Sequence, residues 1–292
     1  NDSSKMLFTD LLTEFKDDHQ KKGNYIHQIS QTIDRIKEFS PKVKLCEIDK
    51  QYCIDWLDYI QNVYVSEKRG RHLSPGGAKV YEKVMVLSLN YAVRNEYIDR
   101  NPFTLVPHEY RVKIKENQRT YLTEEEFNAI KNTASNNPVV KQAFLFECYC
   151  GLRISDIKLL TWNNIVINGD SVRIEKTIQK TQKPISIPLC QKAIDLLPPR
   201  GNKKGDDLVF DLPGALITIN RHVTQLGKDA GLSKKVTTHV GRHTFATLLL
   251  SKNANITAIR DLLGHTNIQT TMIYAKIIDK QKIDTINLLN NV

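Results

Sequence analysis

Cysteine is scarce and unpatterned in this chain. The five cysteines, Cys46, Cys53, Cys148, Cys150 and Cys190, are odd in number and form no CxxC pair. That argues against a secreted disulfide scaffold and for a reduced cytosolic compartment. No run of 18 apolar residues exists, so no transmembrane helix is expected. A signal peptide, internal repeats and low-complexity tracts are also missing. The chain lacks an initiating Met and opens on Asn1-Asp-Ser-Ser, which reads as a trimmed chain or a proteolytic fragment. The other deficit is acid. Lys and Arg number 42 against 32 Asp and Glu, a formal net charge of +10. Residues 1–105 are nearly balanced, with 16 basic and 15 acidic residues, whereas residues 106–292 hold 26 and 17. A positive excess confined to one part is what a surface facing a polyanion requires.

What is present divides the chain in two. Residues 1–105 read as four helices with short connections, a small bundle. Apolar residues recur at helical spacing through Met6–Phe15, Tyr25–Ile36, Ile54–Ile60 and Val80–Ala92. Pro41 closes the second pattern, and Ser74-Pro-Gly-Gly forms a turn before the fourth. Residues 106–121 are polar and aperiodic, the expected linker, with Arg111, Lys113, Lys115 and Arg119 available to a phosphate backbone. Residues 122–292 open with a capping box at Thr123. An apolar helix over Val139–Cys150 ends at Gly151, and Ser155 is expected to cap a short helix over Asp156–Thr161. The period then changes to two for three short strands near 165–167, 171–174 and 185–188, with a hairpin turn at Asn168-Gly169. Helices return near 190–197, 215–230, 239–252, 255–263 and 267–276, and 278–292 form a tail. The expected class is mainly α (α+β), with a small three-stranded antiparallel sheet.

Chemistry concentrates in four places. His239, Arg242 and His243 fall at i, i+3 and i+4, so a helix presents them on one face. Two histidines at i, i+4 also match a zinc-protease helix, but Val240 stands where the general-base Glu belongs and spacing places no third ligand, so no metal is expected. Arg153 follows Gly151-Leu152 at a helix break, with Asp156 three residues on to orient its guanidinium. Gly264-His265 is followed nine residues after the histidine by Tyr274, in a helix that Asn267 can cap. Tyr274 also lies in an apolar stripe with Met272, Ile273 and Ile277, as a core tyrosine would. The strand turn Gln179-Lys180-Thr-Gln-Lys183 offers two lysines. Together these suit phosphoryl transfer. Two arginine forks brace the oxygens of a crowded phosphorus. A phenol needs help to act as a nucleophile, and the departing alkoxide needs a proton.

The order Gly-Leu-Arg, strand-turn Lys, His-x-x-Arg-His, Leu-Gly-His and then Tyr resembles the tyrosine recombinase (lambda-integrase-like) family. The motifs cover about residues 122–277, and the helical region before them resembles that family's core-binding domain. The resemblance implies that Arg153 and Arg242 are the clamp arginines and Lys180 the general acid. His239 would assist proton transfer, His265 would bond the phosphate and Tyr274 would be the nucleophile. Asp156 and His243 would support them. It implies a site-specific recombinase, an integrase of a bacterial mobile element, forming a 3′-phosphotyrosine without ATP, metal or other cofactor. Its partners would be double-stranded DNA and three further copies in a tetrameric synapse, docked through the tail 278–292, with accessory DNA-bending proteins. Its place would be the bacterial cytoplasm, at the nucleoid. Many family integrases carry a further N-terminal arm-binding domain, and the present sequence starts without one. A type IB topoisomerase-like enzyme and a catalytically silent DNA-binding regulator are the alternatives.

Overall fold

The computed structural model describes residues 5–18, 23–66, 70–114, 119–179, 182–275 and 286–287. The chain forms two compact units, residues 1–116 and 117–292.

The first unit is the expected helical assembly. Helices α1 (Phe8–Asp18), α2 (Gly23–Phe39), α3 (Lys50–Asp58) and α4 (Pro75–Arg94) enclose a core in which Phe8, Phe15, Trp56 and Phe103 are fully buried. The Tyr52 amide donates to Asp49, the cap of α3, and the Gly77 amide donates to Ser74, the cap of α4. Ser74-Pro-Gly-Gly is thus the first turn of α4, with Pro75 where an amide proton has no intrahelical partner. The Glu14 carboxylate accepts from the hydroxyls of Tyr91 (2.8 Å) and Tyr97 (2.9 Å), tying α1 to the end of α4. Two features depart from the sequence reading. A short antiparallel hairpin, β1 (Val65–Ser66) with β2 (Arg71–His72), lies between α3 and α4. Residues 103–112, which run into the expected linker, are packed: Phe103, Val106 and Val112 are buried, and the Val112 amide donates to the buried Glu82. Three apolar side chains spaced irregularly have no period to detect, yet they cover the core.

The second unit is built around α6. Helix α5 (Glu124–Asn132) opens on the Thr123–Glu126 capping box. Helix α6 (Pro138–Cys150) is buried from Ala143 through Cys148 and stops at Gly151, whose φ of +70° a residue with a Cβ adopts at a cost. Helix α7 (Ile154–Lys158) begins two residues earlier than expected, with Arg153 rather than Ser155 at the cap position and no side-chain cap. An antiparallel sheet β3 (Ile165–Asn168), β4 (Ser171–Thr177), β5 (Pro184–Pro188) follows in the order β3-β4-β5. Its register pairs Ile165 with Ile174 and Ile174 with Ile187. Helices α8 (Gln191–Ile194), α9 (Leu216–Asp229), α10 (Thr238–Ser251), α11 (Ile256–Leu262) and α12 (Gln269–Ala275) complete the unit. One large core joins α6 to the sheet and α9. A separate small cluster holds Phe245, Ala246, Leu250, Ile259, Leu263 and Tyr274. Among the described residues no helix is long and apolar enough to cross a membrane. The expected mostly helical class with one three-stranded antiparallel sheet is the observed one.

Candidate active site

Helices α6, α10 and α12 meet at the site. Arg242, on α10, is 7% exposed, and each terminal nitrogen of its fork donates once to backbone: Nη1 to the Gly151 carbonyl (2.7 Å) and Nη2 to the Leu263 carbonyl (2.6 Å). Those carbonyls end α6 and α11, so one guanidinium locks two helix C-termini whose last carbonyls lack helical partners. Burial, then the charge of Arg153, lowers the Arg242 pKa to about 10, still cationic at neutral pH. Arg153 is half-buried and its Nη1 is buried without a hydrogen-bond partner. Two guanidiniums close enough to repel, one with an unsatisfied donor, make a site for an anion.

Tyr274 is 2% exposed, and its hydroxyl is hydrogen-bonded to His243 Nδ1 at 2.8 Å, with the rings 5.5 Å apart and tilted by 52°. Burial raises the phenol pKa, while Arg242, Arg119 and Arg153 offset part of that rise. His243 is pushed down to about 4 by burial, then by Arg119, His239, Arg242 and His265. His265 is likewise pushed to about 4 by burial, then by Arg242 and Arg153, and its Nδ1 is hydrogen-bonded to the buried Thr271 hydroxyl at 2.9 Å. Both rings are therefore neutral at pH 7. His239 is exposed in the first turn of α10, near enough for its charge to act on His243. Gly264, at φ +62°, turns the chain from α11 toward α12, and Asn267 accepts from the Gln269 amide to start that helix.

Two of the residues expected to support the others have partners of their own. Asp156 is buried, and among the described residues no side-chain hydrogen bond or ion pair joins its carboxylate to Arg153; only its backbone amide reaches the Arg153 carbonyl, at 2.8 Å. Its Oδ1 accepts from the Gln179 amide at 3.2 Å, and its backbone carbonyl accepts from Lys176 Nζ at 2.7 Å. It fastens the β4–β5 turn to α7 instead, because a helix beginning at Ile154 aims residue 156 at the sheet. His243, expected only to support, sits on the phenol itself. Lys180 lies outside the described residues, as does the tail 278–292 apart from 286–287. Lys183 is exposed, and its carbonyl accepts from the Ile178 amide at 2.8 Å.

Other residues at the site carried no decisive sequence signal. Arg119, assigned to the linker, acts on both Tyr274 and His243. Glu147, the one acidic residue of the apolar helix α6, is fully buried with no well-formed hydrogen bond to either oxygen. Burial raises its pKa well above the carboxylate range, and Arg242 and the Ile154 amide offset part of this. Gly241 makes room for it, since a Cβ there would fall 2.7 Å from Oε2.

An arginine pair, neutral imidazoles and a buried phenol are gathered in one helical unit, side-chain types suited to phosphoryl transfer. Residues 120–281 match the phage integrase family, residues 7–114 match the phage integrase SAM-like domain, and the chain belongs to the phage integrase (tyrosine recombinase) family. A tyrosine recombinase of Thermosipho africanus is 31% identical over 211 residues, 68% of this chain and 71% of that one. One of Pseudothermotoga lettingae is 34% identical over 149 residues, 48% of this chain and 50% of its own length. The fold is that of a lambda integrase dimer bound to a core site (TM-score 0.72, 21% identity, 92% of this chain and 95% of that one). It also matches the Tn1549 transposon integrase bound to circular intermediate DNA (TM-score 0.73, 18% identity, 92% and 95%).

Proposed function

We propose that the chain is a site-specific DNA recombinase that cleaves and rejoins strands through a 3′-phosphotyrosine. The observation that carries this reading is the gathering of Arg153, Arg242, His265 and His243 around Tyr274. Arg153 and Arg242 hold the non-bridging oxygens, with Arg242 preset by its two backbone bonds and Arg153 supplying the open donor. His265, its ring fixed by Thr271, donates from the other nitrogen to the phosphate. Tyr274 attacks phosphorus in line, and the 5′-oxygen leaves with a proton from Lys180. His239 assists that transfer. The phosphotyrosine conserves the bond energy, so a 5′-hydroxyl of a partner duplex reverses the step without ATP, metal or other cofactor.

Double-stranded DNA is the proposed partner, supported by the basic excess of residues 106–292 and by DNA-bound structural neighbours. A tetrameric synapse is proposed too; a lambda integrase tetramer on a Holliday junction shares the fold (TM-score 0.70, 20% identity). Tail 278–292 as the docking segment, accessory DNA-bending proteins, a role as integrase of a bacterial mobile element, and a cytoplasmic, nucleoid-associated location belong to the same reading. Neither topoisomerase-like relaxation nor silent DNA binding is favoured by any of these observations.

The test is a library of nicked duplexes with a randomised 30-base-pair core (a length of about three helical turns). Species captured covalently by the full chain are sequenced and one is remade as a suicide substrate. A covalent adduct that Tyr274→Phe abolishes is expected. An adduct that survives that substitution, or none with the unaltered chain, sinks the reading.

A further inference from the structure

We infer that His243 is a catalytic residue: it takes the proton of the Tyr274 hydroxyl as that oxygen attacks phosphorus. The inference rests on the proposed recombinase reading and extends it by giving a chemical role to His243, which that reading gathers at Tyr274 without one.

The contact is direct. His243 Nδ1 and the Tyr274 oxygen are 2.8 Å apart, within reach for proton transfer. The imidazole is half-buried and packs against the phenol, with ring centroids 5.5 Å apart. The other described side chains acting on Tyr274 are poorly suited to the task. Arg153, Arg242 and Arg119 have no lone pair to offer, and His265 Nδ1 is already engaged by Thr271.

The surroundings keep His243 ready to accept. The charged or titratable groups that face it are Arg119, His239, Arg242, His265 and Tyr274, with no carboxylate among them. A buried histidine facing the Arg119 and Arg242 guanidiniums stays neutral in the free protein, so its lone pair is available. With the proton on Nε2, the phenol donates to Nδ1. A phosphodiester anion seated on Arg153 and Arg242 cancels part of that positive field, so the ring gains basicity when substrate is present.

The step balances. The Tyr274 O–H bond breaks and its proton goes to Nδ1, giving an imidazolium. The phenolic oxygen bonds to phosphorus, the bond from phosphorus to the 5′-oxygen breaks, and that oxygen leaves with the proton of the general acid. On rejoining, the imidazolium returns its proton to the departing phenolate.

The test uses the full chain and the suicide duplex captured as above. His243→Asn keeps an acceptor near the Nδ1 position but cannot carry the proton. It is expected to slow adduct formation by about 10²-fold or more, while thermal unfolding and duplex binding stay close to those of the unaltered chain. The deciding measurement replaces Tyr274 by 2,3-difluorotyrosine, whose phenol ionises more readily. In the His243→Asn background this replacement should recover at least about tenfold of the lost rate, and in the unaltered chain it should change the rate little. A His243→Asn defect that fluorination leaves untouched means that His243 only packs against the tyrosine, and overturns the inference. So does a His243→Asn chain that forms the adduct at full rate. If His243→Asn unfolds, His243→Gln with the same fluorotyrosine pairing decides. Absence of any adduct from the unaltered chain defeats the recombinase reading itself, a result distinct from either.

Discussion

Gly151 lies against the ring of Phe245 so closely that a β-carbon at Gly151 would fall 2.7 Å from Cε1. The same glycine holds φ at +70° and offers its carbonyl to Arg242. Gly151→Ala therefore meets both backbone strain and a crowded ring, and should cost about 3 kcal/mol or more. Gly169→Ala, at φ +56° with nothing within 4 Å of the new carbon, meets strain alone and should cost about 1 kcal/mol. Thermal unfolding of the two variants should differ by several degrees, and equal midpoints would refute the close-packing argument.

The two arginines should separate by readout. Arg242→Ala strands the carbonyls of Gly151 and Leu263 and should lose about 3 kcal/mol of stability as well as adduct formation. Arg153→Ala removes a donor that is unpaired within the protein and relieves Arg242 of a like charge. It should leave stability within about 0.5 kcal/mol and still slow cleavage by about 10²-fold. Denaturant midpoints measured beside adduct rates check this, and a strongly destabilised Arg153→Ala would contradict it.

Stability should fall on both sides of a mid-pH maximum. His243 and His265 bind protons less readily when folded, with values near 4 against the ordinary 6.5. The unfolded chain therefore gains protons first, and stability drops as pH falls from about 6.5 toward 4. Glu147 runs the opposite way. Its folded value is raised, so its neutral form is favoured and stability is lost as pH climbs through that raised value. Glu147→Gln should remove that falling contribution, which steepens the rise the two histidines give below about pH 6.5 and flattens the fall above it. Unfolding midpoints from pH 4 to 9 test both signs, and an unchanged alkaline slope in Glu147→Gln would show that the carboxyl does not titrate there.

Thiol reactivity should divide by burial. Cys46 and Cys190 are exposed, whereas Cys53, Cys148 and Cys150 are buried and none is in a disulfide. Burial pushes the Cys53 thiol up to about 12 and the thiols of Cys148 and Cys150 upward as well. Since the thiolate is the reactive form, native titration with an aromatic disulfide should give two fast equivalents, and all five only after denaturation. Three fast equivalents would place one of the buried thiols wrongly.

Much of the fold was legible because burial leaves a period. The apolar stripes of α1, α2 and α4, the Thr123 capping box and the alternation of β3–β5 each encode local geometry directly. Packing without a period was not legible, as Phe103, Val106 and Val112 illustrate. Within the site, spacing identified the side chains but not their partners. His243 and His239 share a helix face, and nothing in the sequence says which of them meets α12. Asp156 is three residues from Arg153 either way, and only the true start of α7 turns it toward Gln179. Glu147 was visible as a charge among apolar neighbours, but its reason, the space left by Gly241, is 94 positions away in the chain.

The small cluster around Tyr274 has a consequence for restraint. This tyrosine is the largest member of a six-residue apolar group set apart from the main core. Burying such a ring is worth about 2 kcal/mol, so the side chain that offers its hydroxyl to His243 also fastens α12 to α10 and α11. Trimming it to alanine removes both at once, whereas phenylalanine keeps the wedge between the helices and loses only the oxygen, which makes it the substitution that parts chemistry from cohesion.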